Sequence, residues 1–487
     1  MIIRMVIYVL IIVILVVSSS CQNAATPNLP NIVFIMADDM GYGDVSCYNP
    51  KSLIPTPAID QLAKEGMKFT DAHSPSAVCT PTRYALLTGR YAWRGLLKRG
   101  VIEGPHTPVI EDGRNTIGTF LQDNGYNTAC IGKWHLGMTF QRSGVGPAPI
   151  ESGNEDGYQY DIDFTKSVLD GPKQRGFNYS YVTPGCPTDD LFNFWVENGK
   201  IKGNIIKEKQ WYISEGWQHE KVDTTILSKG IQFIESHLNA HPQKPFFLYL
   251  PLSVPHIPWD PPEFVKGKSQ AGDRGDQCVL ADWIVREMDK YLDQRSLTQN
   301  TIFVFTSDNG PNPNDPTSTQ GHLPAGDYRG SKGMIWEGGH RVPFVVRWPG
   351  KIAPGSENHN PIGLVDMFST FAAITDSDLP SDIGEDSYNL LPYWLDKKLD
   401  EPIRKDIIHH SGAGVFAIRE GKWKLIIGTE EGGYLSGGPE EEAPGQLYDI
   451  EKDPSEENNL FAKKPEIVKR LTALLERYKK QGYSKPI

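Results

Sequence analysis

Three things are scarce in this chain. Cysteine is the first: there are six in 487 residues, and no two stand in C-x-x-C spacing. That spacing is what a zinc knuckle or a thioredoxin-like redox motif requires, so neither is expected. Excess positive charge is the second. Lys and Arg number 49 against 60 Asp and Glu, a formal net charge of -11. Such a balance excludes a general nucleic-acid binder, although a local cluster of cations can still receive a small anion. The third is a long apolar run. Residues 5–17, after Arg4, are uninterrupted by charge. They fall short of the roughly 17–25 residues that span a bilayer.

That short run reads as the core of a secretory signal. Ser18, Ser19 and Ser20 precede Cys21, an arrangement that resembles a bacterial lipoprotein cleavage site with Cys21 as the lipidated first residue. The expectation is a signal over 1–21 and a polar tether over 22–30. The protein would then act outside the cytoplasm, in the periplasm, at the cell surface or secreted, touching membrane only through a lipid. An oxidising compartment permits disulfides among Cys47, Cys130, Cys186 and Cys278.

What is present is a repeated design. Four near-continuous apolar runs, at 31–36, 126–131, 244–250 and 301–306, read as strands buried on both faces. Helical stretches at 59–66, 116–125, 227–238 and 278–292 alternate with them. Each strand hands over to polar groups: Asp38 and Asp39, Lys133 and His135, His256, then Asp308 and Asn309. Alternating α and β elements predict a mostly parallel sheet between helices, and ligands in such sheets bind beyond the carboxyl ends of the strands. Each polar cluster alone fits an ordinary turn or cap. Together they place three carboxylates, an amide, a lysine and two histidines at one edge. Oxygen donors of this kind suit Ca²⁺ or Mg²⁺ rather than a thiolate-type zinc site. Histidines and cations beside such a metal suit an anionic ester.

The stretch Ala77-Val-Cys79-Thr-Pro81-Thr-Arg83-Tyr-Ala-Leu-Leu-Thr88-Gly89 resembles the signature of the type I, formylglycine-dependent sulfatases. Gly125-Tyr-Asn-Thr-Ala-Cys-Ile-Gly-Lys133-Trp-His135 is similar to that family's second signature. The likeness continues through Arg329-Gly-Ser-Lys332, Glu337-Gly-Gly-His-Arg341-Val-Pro343 and Leu447-Tyr-Asp-Ile-Glu-Lys-Asp-Pro454. It implies an alkaline phosphatase/sulfatase-like fold, with a catalytic domain over 31–375 and a smaller α+β subdomain over 376–487. It implies that a formylglycine-generating or anaerobic sulfatase-maturating enzyme oxidises Cys79, reading Pro81 and Arg83. Arg83 and Lys133 would hold the resulting diol. Asp38, Asp39, Asp308, Asn309 and residue 79 would bind Ca²⁺, in preference to Mg²⁺. Lys332 would grip the sulfate, His256 would protonate the leaving oxygen, and His135 would act as base on the second diol hydroxyl. The implied substrate is a sulfated saccharide from a glycosaminoglycan, mucin or algal glycan. Two alternatives stand beside this reading: a phosphatase or phosphonate monoester hydrolase of the same superfamily, and a non-catalytic glycan-binding lipoprotein.

Elsewhere, His322 in the polar loop before Lys332 is a candidate contact to a substrate hydroxyl. His409 and His410 lack metal spacing and read as strand-end or loop residues. Residues 415–427 read as a hairpin and 465–481 as an amphipathic helix. Residues 138–223 have weak periodicity and read as loops over the pocket, with Trp195, Trp211 and Trp217 divided between packing and sugar stacking.

Overall fold

The computed structural model describes residues 29–102, 106–144, 146–148, 161–187, 191–208, 211–429, 431–433 and 444–486. The expected signal, tether and Cys21 lie outside the described residues, apart from the last two positions of the tether. The frame is a ten-stranded sheet. Its strands are β1 (Asn31–Ala37), β2 (Met67–Phe69), β3 (Asn127–Lys133), β4 (Tyr179–Thr183), β5 (Val196–Glu197), β6 (Lys200–Ile201), β7 (Phe246–Pro251), β8 (Thr301–Ser307), β9 (Phe344–Arg347) and β10 (Ser356–Asn358). Their spatial order is β10-β2-β9-β8-β1-β7-β3-β4-β5-β6. The five strands β8-β1-β7-β3-β4 are mutually parallel.

The alternation of β1 explains why its run is wholly apolar. Ile32, Phe34 and Met36 join the core on one face, and Val33, Ile35 and Ala37 the core on the other. All six are at most 1 % exposed. A strand covered on both sides has no solvent face on which to place a charge. Truncating Ile32, Phe34, Ile35 or Met36 to alanine costs about 2–5 kcal/mol each. Helices α1 (Pro57–Glu65), α4 (Val222–Ala240) and α5 (Gly272–Gln294) cover one face, through residues such as Leu62, Ile234 and Met288. Helices α2 (Cys79–Thr88), α3 (Ile117–Asp123) and α6 (Met367–Ile374) cover the other, through Leu86, Leu121 and Phe371.

The C-terminal part forms its own antiparallel sheet of β11 (Asp406–His410), β12 (Phe416–Glu420), β13 (Trp423–Ile427) and β14 (Gln446–Asp449). The expected hairpin is β12–β13. Helix α7 (Pro465–Gln481) follows, and Leu471, Leu475 and Tyr478 of its predicted stripe are buried. They pack with Ile418, Leu425 and Leu447 of this sheet and with Ala85 of α2. The helix that begins at Cys79 is therefore clamped between the two sheets.

The region expected to be loops holds more strand than its periodicity suggests. β4, β5 and β6 extend the main sheet, and Phe192–Asn193, Ile205–Glu208 and Trp211–Ser214 form a small side sheet. Trp195 stacks on Tyr181 and meets Trp217, so both pack against the core, whereas Trp211 is 36 % exposed. No disulfide joins the described cysteines to one another, so the permitted bridges do not form among them.

Candidate active site

Four adjacent parallel strands end together. Asp308 and Asn309 follow β8, Asp38 and Asp39 follow β1, His256 follows β7, and Lys133 closes β3 with His135 two residues on. Backbone bonds lock these ends side by side. The amide of Asp308 donates to Ala37 (3.1 Å) and that of Asp38 to Val254 (3.0 Å). The fifth contribution comes from α2, whose first residue is Cys79.

Arg83 stands one helical turn after Cys79 and is fully buried. Its guanidinium donates to Asp308 Oδ2 (2.6 Å) and to the Lys133 carbonyl (3.1 Å). Lys133 Nζ donates to Asp38 Oδ2 at 2.5 Å. Lys332 Nζ lies 2.9 Å from Asp39 Oδ2 and 2.7 Å from Oδ1. Burial opposes the charge on each lysine, but the facing carboxylate outweighs it and holds both ammonium groups protonated. Burial likewise works to raise Asp38, yet Lys133, His256, Arg83 and Lys332 together hold its carboxyl well below the usual range. Asp39 is lowered in the same way, Lys332 and His256 outweighing its burial. Asp308 moves the other way, to about 7, pushed by burial and then by repulsion from Asp38. Three carboxylates thus face three cations in a closed space.

The histidines flank this cluster. His135 donates from Nε2 to the Ile102 carbonyl (2.6 Å). Its Nδ1 is then the lone-pair nitrogen, and it faces Cys79 Sγ at 3.4 Å. The Nδ1–H of His256 donates to the Ile257 carbonyl (2.9 Å), which leaves Nε2 toward Asp39 Oδ2 at 3.8 Å. Cys186 Sγ lies 3.3 Å from that Nδ1. No spacing announces Cys186, because it lies 70 residues from His256 in the chain.

The donor set fits a hard cation. Asp38 Oδ1 and Asn309 Oδ1 are buried and have no hydrogen-bond partner, an arrangement that costs free energy unless something occupies it. Asn309 Nδ2 donates to Asp39 Oδ1 (2.8 Å), turning its own oxygen the other way. Asp39 holds a left-handed backbone, φ 68°. Carboxylate and amide oxygens are the donors that a hard divalent cation takes.

His322 is placed differently from the expectation. It is fully buried, its Nε2 donates to Asp44 Oδ1 (2.8 Å), and its Nδ1 accepts from the Leu53 amide (3.4 Å). Asp44 also pairs with Arg274, which donates to the Asp39 carbonyl (3.2 Å). His322 therefore braces the turn under Asp39 and offers nothing to a substrate hydroxyl.

His409 is a strand residue of β11 and enters a second cluster. One ring nitrogen from each of His73, His340 and His409 lies within 4.8 Å of the other two. His73 Nδ1 and His340 Nδ1 are 3.0 Å apart, and the rings of His340 and His409 stack at 3.8 Å. Around them Asp71, Glu337 and Glu456 face Arg341, Arg419 and Lys424. Those charges already balance, and a sealed dication would remain uncompensated there. The cluster is a polar seam between the two sheets.

Comparison with known proteins agrees with the site. Residues 30–377 match the sulfatase family, and residues 329–481 match the family described as N-sulphoglucosamine sulphohydrolase, C-terminal. The chain belongs to the sulfatase family. A curated relative of this sulfatase is the N-acetylgalactosamine-6-O-sulfatase of Bacteroides thetaiotaomicron, 33 % identical and covering 94 % of each chain. Human arylsulfatase A is 31 % identical over 91 % of this chain and 87 % of its own. A solved Bacteroides thetaiotaomicron sulfatase, from work on the metabolism of multiple glycosaminoglycans, superposes with a TM-score of 0.81. It is 32 % identical and covers 93 % of this chain and 100 % of its own. A phosphonate monoester hydrolase from Silicibacter pomeroyi shares the fold at 16 % identity and a TM-score of 0.60. The protein is thus a sulfuric ester hydrolase of the carbohydrate-sulfatase kind.

Proposed function

We propose that this sulfatase removes an O-sulfate from the terminal sugar of a glycosaminoglycan, using Cys79 in its formylglycine form and one Ca²⁺. The observation that carries the reading is the placement of Cys79. It sits beside three cations, a histidine lone pair and two orphaned oxygens, where a thiol has no task of its own. Asp38, Asp39, Asp308 and Asn309 would hold the metal. Hydrated formylglycine would supply a nucleophilic hydroxyl at residue 79, and bound Ca²⁺ would acidify it and neutralise sulfate oxygens.

The remaining steps belong to the chain's own side chains. Lys332 binds the sulfate and the bridging oxygen, and Lys133 and Arg83 hold residue 79 and its neighbouring carboxylates. His256 delivers a proton from Nε2 to the departing sugar oxygen. His135 accepts a proton at Nδ1 from a hydroxyl on residue 79, and the Ile102 carbonyl keeps that nitrogen the basic one. The charge count supports the order of binding. Three carboxyl groups at most cancel three cations, so a dication makes the site net positive and receptive to an anionic ester.

Cys79 is 2 % exposed and Arg83 is fully buried. A maturating enzyme that reads Cys79, Pro81 and Arg83 would therefore act before the chain folds. The apolar run at 5–17 and the serines before Cys21 support export and lipid anchoring at the cell surface. The name of the 33 % identical relative supports a 6-O-sulfated N-acetylgalactosamine as the terminal sugar.

The test is sulfate release from a panel of defined sulfated saccharides and aryl sulfates, with aryl phosphates as controls. Release from the 6-O-sulfated hexosamine and poor turnover of phosphates is the expected pattern. A panel that loses no sulfate, aryl esters included, would show the assigned reaction to be wrong.

A further inference from the structure

One cation near the site has no task in this chemistry. Arg99 is exposed, and it has no ion pair or hydrogen bond to another described residue. Its neighbour Lys98 is committed, since Nζ donates to the Trp93 carbonyl (2.9 Å). Arg99 belongs to a segment fastened to the reaction centre at several points. Ile102 accepts from His135 Nε2 and donates its amide to Thr80 Oγ1 (3.3 Å). Gly100 donates to the Gly412 carbonyl (2.8 Å), Gly412 to Gly333 (2.8 Å), and Gly333 to Ala77 (2.7 Å). Gly333 follows Lys332, and Ala77 lies two residues before Cys79. Arg99 is three residues from Ile102, which limits the separation of their Cα atoms to about 11 Å.

The wall opposite comes from the C-terminal sheet. Gly414, in the turn after β11, has φ 97° and carries no side chain. A Cβ placed there would lie 3.4 Å from Arg99 Cβ and 3.7 Å from His410 Nε2. That His410 nitrogen is buried and has no hydrogen-bond partner. Gly414 itself is partly open and the adjoining Ala413 is exposed. The result is a notch at this partly open turn, with the stem of Arg99 on one side and the buried, unpaired His410 nitrogen beneath it.

We infer that Arg99 and the Gly414 notch form a second anion subsite, which holds a carboxylate or sulfate on the sugar next to the one that loses its sulfate. The inference rests on the saccharide sulfatase reading and narrows it to polyanionic glycans. A neutral or mucin-type neighbour would leave the guanidinium unused. Arg is suited to this role because its planar fork receives carboxylate and sulfate oxygens two at a time. Because the group held is remote from the reacting bond, the binding is uniform between ground and transition state and appears in KM.

The experiment compares four substrates: a sulfated hexosamine linked to a uronic acid, the same disaccharide with its carboxyl reduced to the alcohol, the reduced disaccharide carrying a second ring sulfate, and para-nitrophenyl sulfate. The wild type should turn over the uronate about ten-fold better in kcat/KM than its reduced form, with the gain in KM. Arg99→Ala should erase that ten-fold, Arg99→Lys should keep most of it, and both should treat the aryl sulfate as the wild type does. A gain from the ring sulfate in place of the uronate would assign the notch to sulfate. Equal turnover of all three disaccharides with normal aryl turnover would overturn the subsite alone. A loss in Arg99→Ala that extends equally to the aryl sulfate would also overturn it, since Arg99 would then act on the centre itself. Absence of wild-type turnover on every ester would sink the sulfatase reading and the subsite together.

Discussion

Replacing Lys332 by alanine tests the site most directly, because the side chain has two separable roles. It lies 6 % exposed, with Nζ 2.7 and 2.9 Å from the two oxygens of Asp39. At an effective dielectric of about 20 that contact is worth roughly 6 kcal/mol of gross attraction. Most of it offsets desolvation, so breaking a buried pair costs a net of about 3–5 kcal/mol. Calcium on Asp39 would replace part of the lost charge, so the fall in Tm should be larger in chelator than in Ca²⁺. The catalytic role is independent of that compensation. Removing one preorganised donor from a developing anion lowers kcat by about 10²–10³. The assay is kcat and KM on para-nitrophenyl sulfate in Ca²⁺, beside melting curves with and without the metal. Lys332→Met keeps the aliphatic stem and guards against simple collapse of the alanine variant. A folded variant whose kcat/KM stays within about three-fold of wild type would remove Lys332 from the sulfate site.

The other predictions address separate parts of the argument. Mass analysis of the tryptic peptide containing Cys79, from protein made in its native host, should show an aldehyde oxygen in place of sulfur; an unmodified thiol in active enzyme would refute the formylglycine assignment. Calcium at about 100 times its Kd should stabilise the wild type by about 2.7 kcal/mol, and Asn309→Ala should lose most of that gain; an unchanged calcium shift would exclude Asn309 as a ligand. His322→Asn should lower Tm, because it strips a buried partner from Asp44, while KM for a sulfated saccharide stays unchanged; a raised KM with unaltered Tm would restore it as a substrate contact. Burial, then Lys479, pushes His410 down to about 4 from an ordinary 6.5. The unfolded chain therefore binds the extra proton first, and the stability present above pH 6.5 is lost as pH falls toward 4. Between pH 7 and pH 5 this amounts to about 2 kcal/mol, so urea unfolding of His410→Asn should show a smaller acid loss than wild type, and equal losses would contradict the assignment.

The parts of this protein that could be read from its sequence share a physical cause. Strands β1, β3, β7 and β8 are covered on both faces, so they appear as unbroken apolar runs. The polar residues that follow them stand out for that reason. Cys79, Pro81 and Arg83 were readable because they match a family signature, and the structure adds that one helical turn puts the cysteine and the arginine on one side of α2. Contacts between distant loops left no such mark. Cys186 meets His256 only because β4 and β7 flank β3. Ile102 reaches His135 through its backbone carbonyl, and a carbonyl has no sequence signature. His73, His340 and His409 come from three separate elements, so no spacing could announce them. His322 misled for the opposite reason. A histidine in a polar loop looks solvent-facing, but the loop folds back over Asp44 and Arg274. The short strands of 138–223 pair as two to five residues each, too few for alternation to register.

The C-terminal sheet is more than a cover for the catalytic domain. The amide of Ala77 and the hydroxyl of Ser76 both donate to the His410 carbonyl, at 2.9 Å each. Gly412 donates to Gly333, beside Lys332. Ala85, on the helix that carries Cys79, packs against Ile418 and Leu475. The loop that presents Cys79 and the loop that presents Lys332 thus both hang from the end of β11. Lys424 reaches back from β13 to the buried Glu337, five residues after Lys332. A chain cut at residue 375 would keep Asp38, Asp39, Asp308, Asn309, His135 and His256. It would lose the supports that set Cys79 and Lys332 in register with them, and it would leave Glu337 without one of its cations. The division drawn after residue 375 therefore separates two sheets, while the active site needs both. A 1–375 fragment should lack turnover even if it retains helix and strand content. Measurable sulfate release from that fragment would show that the catalytic domain positions Cys79 and Lys332 by itself.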